Sequence, residues 1–131
     1  MATTVKLTTV TSPSVAVRAE DYTVPTESGA GVYEDFCASI EAPDGRGFFV
    51  INNEDGSADV GVSLVAGDYV GATDTTPVTV AKGDVAYLFA DSALCKAEGK
   101  LWVRLTPSAS TALSTCGIKI GAVQFMPTVN H

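Results

Sequence analysis

Histidine is almost missing from this chain of 131 residues: the single one, His131, is the last residue. Its scarcity removes Ser-His-Asp and Cys-His arrangements and histidine-bound zinc from the candidate chemistries. A terminal residue also tends to lie outside the ordered body of a domain. Basic residues are few, eight Lys and Arg against fifteen Asp and Glu, for a formal net charge of −7. They are scattered, so no basic stripe offers a track for phosphate backbones, and anionic membrane surfaces are repelled. Cysteines number three, Cys37, Cys95 and Cys116. The odd count and the lack of metal-like spacing argue for reduced thiols and against a disulfide framework. No apolar run approaches the ~20 residues of a membrane helix. Met1-Ala2-Thr3-Thr4-Val5-Lys6 lacks the basic start and apolar stretch of a signal peptide, so synthesis and retention in a cytoplasm is the expectation. Amphipathic helical spacing and internal repeats are absent too. Gly29-Ala30-Gly31 precedes neither a helical pattern nor a Lys, so it is no phosphate loop.

What the chain does have is strand pattern. The apolar fraction is 46%, enough for one core without staples. The stretch 48–71 organises the rest. Phe48-Phe49-Val50-Ile51 is a run of aromatic and β-branched residues that suits a buried pleated surface. Val60, Val62 and Leu64 alternate with Gly61 and Ser63, the period of a half-buried strand. Between them, Asn52-Asn53-Glu54-Asp55-Gly56-Ser57-Ala58-Asp59 reads as a tight polar turn joining two strands.

Taken in order, residues 1–12 are rich in Thr and Val, with strand propensity but little bulk, and read as an N-terminal arm. Pro13 interrupts the pattern and Ser14–Arg18 resumes it. Pro25–Gly31 is a loop. Phe36, Ala38 and Ile40 share one face, Cys37 and Ser39 the other, with Glu34 and Asp35 expected in solvent. Pro43-Asp44-Gly45-Arg46-Gly47 is a turn. Further on, Ala66-Gly67-Asp68 turns the chain into a short extended piece, Tyr69-Val70. Val78-Thr79-Val80 is a short strand, followed by a turn at Lys82-Gly83-Asp84. Val85-Ala86-Tyr87-Leu88-Phe89 is apolar on both faces and reads as a central strand. Asp91-Ser92-Ala93-Leu94 suits a capped helical turn. Leu101, Val103 and Leu105 face a core, with Trp102 and Arg104 opposite. Ile118, Ile120 and Ala122 share a face, and Val123 and Phe125 break that parity at Gly121, which predicts a bulge or bend. Turn signals recur every ~8–12 residues, the spacing of an all-β fold. The expectation is a single antiparallel β-sandwich or small barrel of about eight strands. Its boundaries are an arm over 1–12, the sandwich over 13–127 and a tail over 128–131.

No constellation for chemistry emerges. Glu34-Asp35 and Glu54-Asp55 are adjacent acids, which a strand sends to opposite faces and a turn leaves in water, so neither pair suits glycoside hydrolysis. Asp55, Ser57 and Asp59 have alternate spacing that calcium loops use, without the bidentate Glu or flanking helices of an EF-hand. A polar turn is the better reading. The expectation is therefore no catalytic residues, no metal ligands and no cofactor. Trp102, the sole Trp, is a candidate partner contact, since aromatic residues concentrate at protein interfaces. The arm residues Thr3, Thr4, Val5, Lys6, Leu7 and Thr8 are candidates too, because extended backbone can add to a neighbour's sheet edge. On this reading the arm serves attachment more than folding.

One further signal is a likeness. It is carried by Phe48-Phe49-Val50-Ile51-Asn52-Asn53, Val62-Ser63-Leu64-Val65-Ala66-Gly67-Asp68, and Val78-Thr79-Val80-Ala81-Lys82-Gly83-Asp84-Val85-Ala86-Tyr87-Leu88. It continues through Asp91-Ser92-Ala93-Leu94-Cys95-Lys96, Gly99-Lys100-Leu101-Trp102-Val103 and Lys119-Ile120-Gly121-Ala122-Val123-Gln124. Across residues 45–127 the chain resembles small β-sandwich virion proteins of tailed bacteriophages, notably head decoration (cement) proteins. The shared positions are core and turn positions, and no functional residue transfers with them. The resemblance implies a structural protein that binds the outer surface of a capsid and stabilises its coat lattice. Its partners would be the major capsid protein and further copies of itself, in a small homo-oligomer for which the family suggests a trimer. No nucleic acid or membrane would be involved. Such a protein is made in the host bacterial cytoplasm and resides in the virion. Two alternatives remain: a phage tail or neck component, and a carbohydrate-binding β-sandwich module. The latter would use a row of aromatics that Trp102 with Tyr69 or Tyr87 could supply.

Overall fold

A computed structural model describes residues 2–10, 21–41, 46–67, 74–89, 96–97 and 99–125. The expectations for Pro13–Arg18, Pro43–Gly45, Asp68–Val70, Asp91–Leu94, Cys95 and the 128–131 tail lie outside these residues. The described chain forms ten strands: β1 (Ala2–Thr4), β2 (Leu7–Val10), β3 (Glu34–Ala38), β4 (Gly47–Asn52), β5 (Val60–Leu64), β6 (Val78–Val80), β7 (Val85–Phe89), β8 (Lys96–Ala97), β9 (Lys100–Pro107) and β10 (Lys119–Phe125). No α-helix occurs among the described residues. The strands make two packed sheets. The large one has the order β1-β3-β9-β5-β6, with β8 also on β9; the small one has the order β2-β10-β4-β7. The protein is an all-β sandwich, as the strand spacing indicated.

The core lies between the inner faces. β9 alternates half-buried and buried residues over its full length, so Leu101, Val103 and Leu105 point inward and Trp102, Arg104 and Thr106 outward. Phe36 and Ala38 of β3, and Val60, Val62 and Leu64 of β5, join them from the same sheet. The small sheet answers with Phe49, Ile51, Ile120 and Ala122. Leu113, Cys116 and Ile118, from the loop between β9 and β10, close one end. Each large apolar side chain so buried contributes about 1.5–3 kcal/mol relative to exposure. At Gly117 the backbone takes φ +88, and a Cβ there would sit 2.7 Å from the Asp55 carbonyl oxygen. Only Gly fits both conditions.

Four expectations are corrected. First, β4 and β5 do not form a hairpin. β4 pairs with β10 and β7, β5 with β9 and β6, so residues 53–59 carry the chain from one sheet to the other. An apolar run next to an alternating run looks the same whether the connection is a turn within a sheet or a crossing between two. Second, the pairing is not wholly antiparallel: β1 runs parallel to β3, and β2 parallel to β10. Third, β10 has no bulge. Its register against β4 runs from Lys119↔Asn52 to Gln124↔Gly47 without a skipped residue. Val123 and Phe125 break no parity; they belong to an outer face that is itself apolar. At Gly121 a Cβ would meet Tyr22 Cδ1 at 3.2 Å, so the glycine marks close packing. Fourth, β7 is, among the described residues, an edge strand of the small sheet and not a central one.

Residues 2–10 are built into both sheets. β1 borders the large sheet and β2 the small one, and Val5 between them is 3% exposed and part of the core. The Val5 N–H donates to the Cys37 carbonyl at 2.9 Å, and the Lys6 carbonyl accepts from the Ala122 N–H at 3.3 Å.

Candidate functional site

Buried polar groups show where this sequence departs from an apolar sandwich. Glu34 was expected in solvent at the start of β3, yet it is fully buried. Its side chain points inward, because β3 alternates and Phe36 two residues on is in the core. The carboxylate survives there through four donors. The Thr26 and Glu27 N–H groups donate to Oε1 at 2.9 and 2.7 Å. Thr3 Oγ1 donates to Oε2, and Thr26 Oγ1 approaches the same oxygen at 3.5 Å. Both oxygens of the buried side chain therefore have hydrogen-bond partners. Glu34 thus ties β1 and the 26–27 segment to β3.

Its neighbour Asp35 points the other way, onto the outer face of the large sheet. Arg104 Nε donates to Asp35 Oδ1 at 2.7 Å, and a second guanidinium nitrogen donates to Oδ2 at 3.2 Å, a bidentate fork. The same guanidinium reaches Asp74 Oδ2 at 3.3 Å and lies 3.9 Å from the centre of the Tyr33 ring. Asp74 Oδ1 in turn accepts from the Ala66 N–H at 2.7 Å. The hydrogen bonds that Arg104 donates to Asp35 hold its pKa above the ordinary arginine value, against the opposing effect of burial.

Asn53 and Gln124 do similar work. Asn53 Nδ2 donates to the carbonyls of Ala58 and Val80, at 2.9 and 3.1 Å, and its own carbonyl accepts from the N–H groups of Gly56 and Gly83. Its Oδ1 has no partner among the described residues. A Cβ at Gly56 would fall 1.7 Å from that oxygen, so residue 56 must be Gly for the amide to sit there. Gln124 Oε1 accepts from the Glu41 N–H at 2.8 Å and its Nε2 donates to Thr9 Oγ1 at 3.0 Å. The oxygen-rich loop 53–59 spends its groups separately. Asp59 Oδ1 accepts from the Lys82 N–H, Ser57 Oγ donates to the Cys116 carbonyl, and Asp55 faces Lys119 at 3.7 Å. No group of three or more His, Cys, Asp or Glu able to hold a metal occurs among the described residues.

The outer face of the small sheet has a different character. Val85, Tyr87 and Phe89 alternate outward along β7, beside Asn52, Val50 and Phe48 of β4. Next come Lys119, Gly121 and Val123 of β10, with Phe125 beyond them and Thr8 and Val10 of β2 alongside. Phe48 meets Tyr87 edge-on with ring centroids 5.8 Å apart, and Phe89 at 5.5 Å. Tyr87, Phe89, Phe125 and Val85 stand exposed. Sequence reasoning passed over this face. The signal was apolarity on both sides of Val85–Phe89 and of Val123–Phe125, read as a buried centre in one and a bulge in the other.

The residues singled out for partner contact lie as follows. Thr3 is spent on Glu34. Thr4 Oγ1 is 4.0 Å from Cys37 Sγ. Val5 is in the core, the Lys6 N–H donates to Thr23 Oγ1 at 3.1 Å, Leu7 packs against the core, and Thr8 pairs with Val123. Trp102 is half-buried on the outer face of the large sheet, in register with Cys37, and its Nε1 donates to the Ala97 carbonyl at 2.9 Å. Cys37 and Cys116 are buried free thiols. The structure therefore brings Thr3, Val5 and Leu7 into the fold and leaves Trp102 apart from the aromatic face. No protein-family model, curated protein or solved structure matches the chain.

Proposed function

We propose that this protein is a structural component of a bacteriophage virion that decorates the outside of the capsid and stabilises its coat lattice. The observation that carries the reading is where the resemblance falls in the fold. The segments that resemble head decoration proteins are β4, β5, β6, β7, β9 and β10, the greater part of both sheets. The spending of Glu34, Arg104, Asn53 and Gln124 on cross-links suits a protein whose task is to stay folded on a particle. The major capsid protein is the proposed partner. Residues 2–10 are committed to both sheets, so attachment would use a surface of the sandwich body.

The test is quantitative protein composition of the purified particle, beside co-sedimentation of the recombinant protein with undecorated particles. Amounts comparable with the coat protein, and saturable binding to bare heads, are expected. A few copies per particle would instead assign it to the neck or tail. A second reading, a carbohydrate-binding module, is favoured by one observation, the exposed Tyr87 and Phe89 beside Phe48. Retention on immobilised polysaccharide that Tyr87→Ala abolishes would support it.

A further inference from the structure

Sheet edges offer unpaired backbone groups, and natural proteins protect them by shortness, proline, charge or bulges. Of the four strands that end the two sheet paths among the described residues, three are protected. β1 and β6 have three residues each, and β6 follows Pro77 directly. β2 has four and follows Lys6. The fourth edge, β7, has five residues with no charge, no proline and an unbroken register against β4. Among the described residues β4 is its only strand neighbour. Its outward side chains stand open, with Tyr87 64%, Phe89 59% and Val85 38% exposed. A strand apolar on both faces is usually buried on both, and nothing in the described fold covers this one.

We propose that β7 is a self-association edge, on which a second copy of this chain pairs antiparallel about a two-fold axis through Tyr87. Val85 of one copy then lies opposite Phe89 of the other, and Tyr87 opposite Tyr87. Aromatic and β-branched residues in those positions are favourable cross-strand pairs. The pairing joins two four-stranded sheets into one continuous sheet with a shared aromatic face.

The charge distribution selects a second copy over other occupants. Each molecule carries −7, so most approaches of two copies are repulsive. Among the paired outward positions of the small sheet only Lys119 is charged, and Asp84 falls outside the paired five residues. A two-fold pairing here sets no like charge against itself. A glycan would want a dense set of hydrogen-bonding groups, and beside the rings the paired strands of this face present, among the described residues, Asn52, Thr8, Lys119 and the Tyr87 hydroxyl. The area also suits. Val85, Tyr87 and Phe89 leave roughly 300 Å² of side chain in water. That is a substantial share of the ~600–800 Å² each partner contributes to a stable pair. The inference stands apart from the capsid reading, since either holds without the other.

Sedimentation velocity of the full chain over about 1–100 µM tests it. A monomer–dimer equilibrium is expected. Tyr87→Lys, which sets Lys against Lys at the axis, should weaken it at least about tenfold. Val78→Lys on the β6 edge should leave it unchanged. Hydrogen exchange on the wild type provides a readout that needs no variant: amides of residues 85–89 should gain protection with concentration while those of 78–80 do not. A monomer throughout, a trimer or open-ended assembly, a dimer untouched by Tyr87→Lys, or concentration-independent exchange at β7 would each overturn the proposal. So would a dimer that forms only when a glycan or another protein is present.

Discussion

The two outer faces of this sandwich are built from the same alternating strands and end up opposite in kind. On the large sheet, outward positions hold Asp35, Trp102, Arg104 and Ser63, and each of the first three makes a side-chain hydrogen bond to another segment. On the small sheet, outward positions hold Phe48, Tyr87, Phe89, Val123 and Phe125, and the outermost of these meet water. The difference separates two uses of a face. Polar groups with internal partners stabilise the molecule that bears them, and the exposed rings of the aromatic face contribute little to it. Apolar surface left in water gains nothing until something removes it from water.

Substitutions sharpen or break that contrast. The largest effect should come from removing what both sheets share. Deleting residues 2–10 takes away an edge strand from each sheet, the core residue Val5 and the Thr3 donor to Glu34. The loss should exceed the about 4–5 kcal/mol that marks an exceptional single substitution, and the truncated chain should show no cooperative thermal transition. A sharp melt near the full-length value would mean that the two sheets hold without the strands that border them.

Next comes Glu34→Ala, which removes the acceptor of two backbone N–H groups and leaves a cavity where a buried side chain was. A loss of about 3 kcal/mol or more is expected in urea titration. Glu34→Gln should recover much of it, because the Thr3 and Thr26 hydroxyls can turn round and accept from the amide. Equal losses for the two variants would show that charge, and not shape, is what the site requires.

Arg104→Ala should cost less, about 1–2 kcal/mol, since the fork to Asp35 is partly exposed and the contact with the open Asp74 is discounted by solvent. A raised folded-state pKa means that this contribution is present in full below the ordinary arginine range. It is lost only as pH rises through the raised value, so it should not vary between pH 5 and 9. A pH-dependent difference between wild type and Arg104→Ala in that interval would have to come from another group. The smallest effect belongs to the other face. Phe89→Ser in dilute solution should shift stability by no more than about 0.5 kcal/mol. A loss as large as that of Arg104→Ala would make the aromatic face part of the core and erase the contrast.

The large sheet was the more legible of the two. Leu101, Val103 and Leu105 alternate so regularly with Trp102 and Arg104 that inward and outward could be assigned from spacing alone. Phe36, Ala38 and Ile40 likewise landed in the core. Glu34 defeated the same logic: a carboxylate on the inward parity looks like a strand that has not yet begun, and its four donors lie on residues 3, 26 and 27, invisible to local pattern. β7 failed for a related reason. Periodicity reports which sides of a strand are apolar but not whether a neighbour exists to cover them, so a two-sided strand reads as central whatever its place. The parallel pairings of β1 and β2 were hidden because pairing partners across the length of the chain leave no trace in spacing.

Thr9 and Gln124, bonded across the β2–β10 pair, are 115 positions apart in the chain. During synthesis, residues 7–10 must wait for β10 before their sheet can close. Bringing such distant segments together costs loop-closure entropy before any contact repays it, and folds dominated by distant pairings form slowly. The small sheet therefore closes long after its first strand is made: until β10 clears the ribosome, β4 lacks one neighbour and residues 7–10 lack the one strand they pair with among the described residues, and a chaperone has that whole interval in which to hold the growing chain.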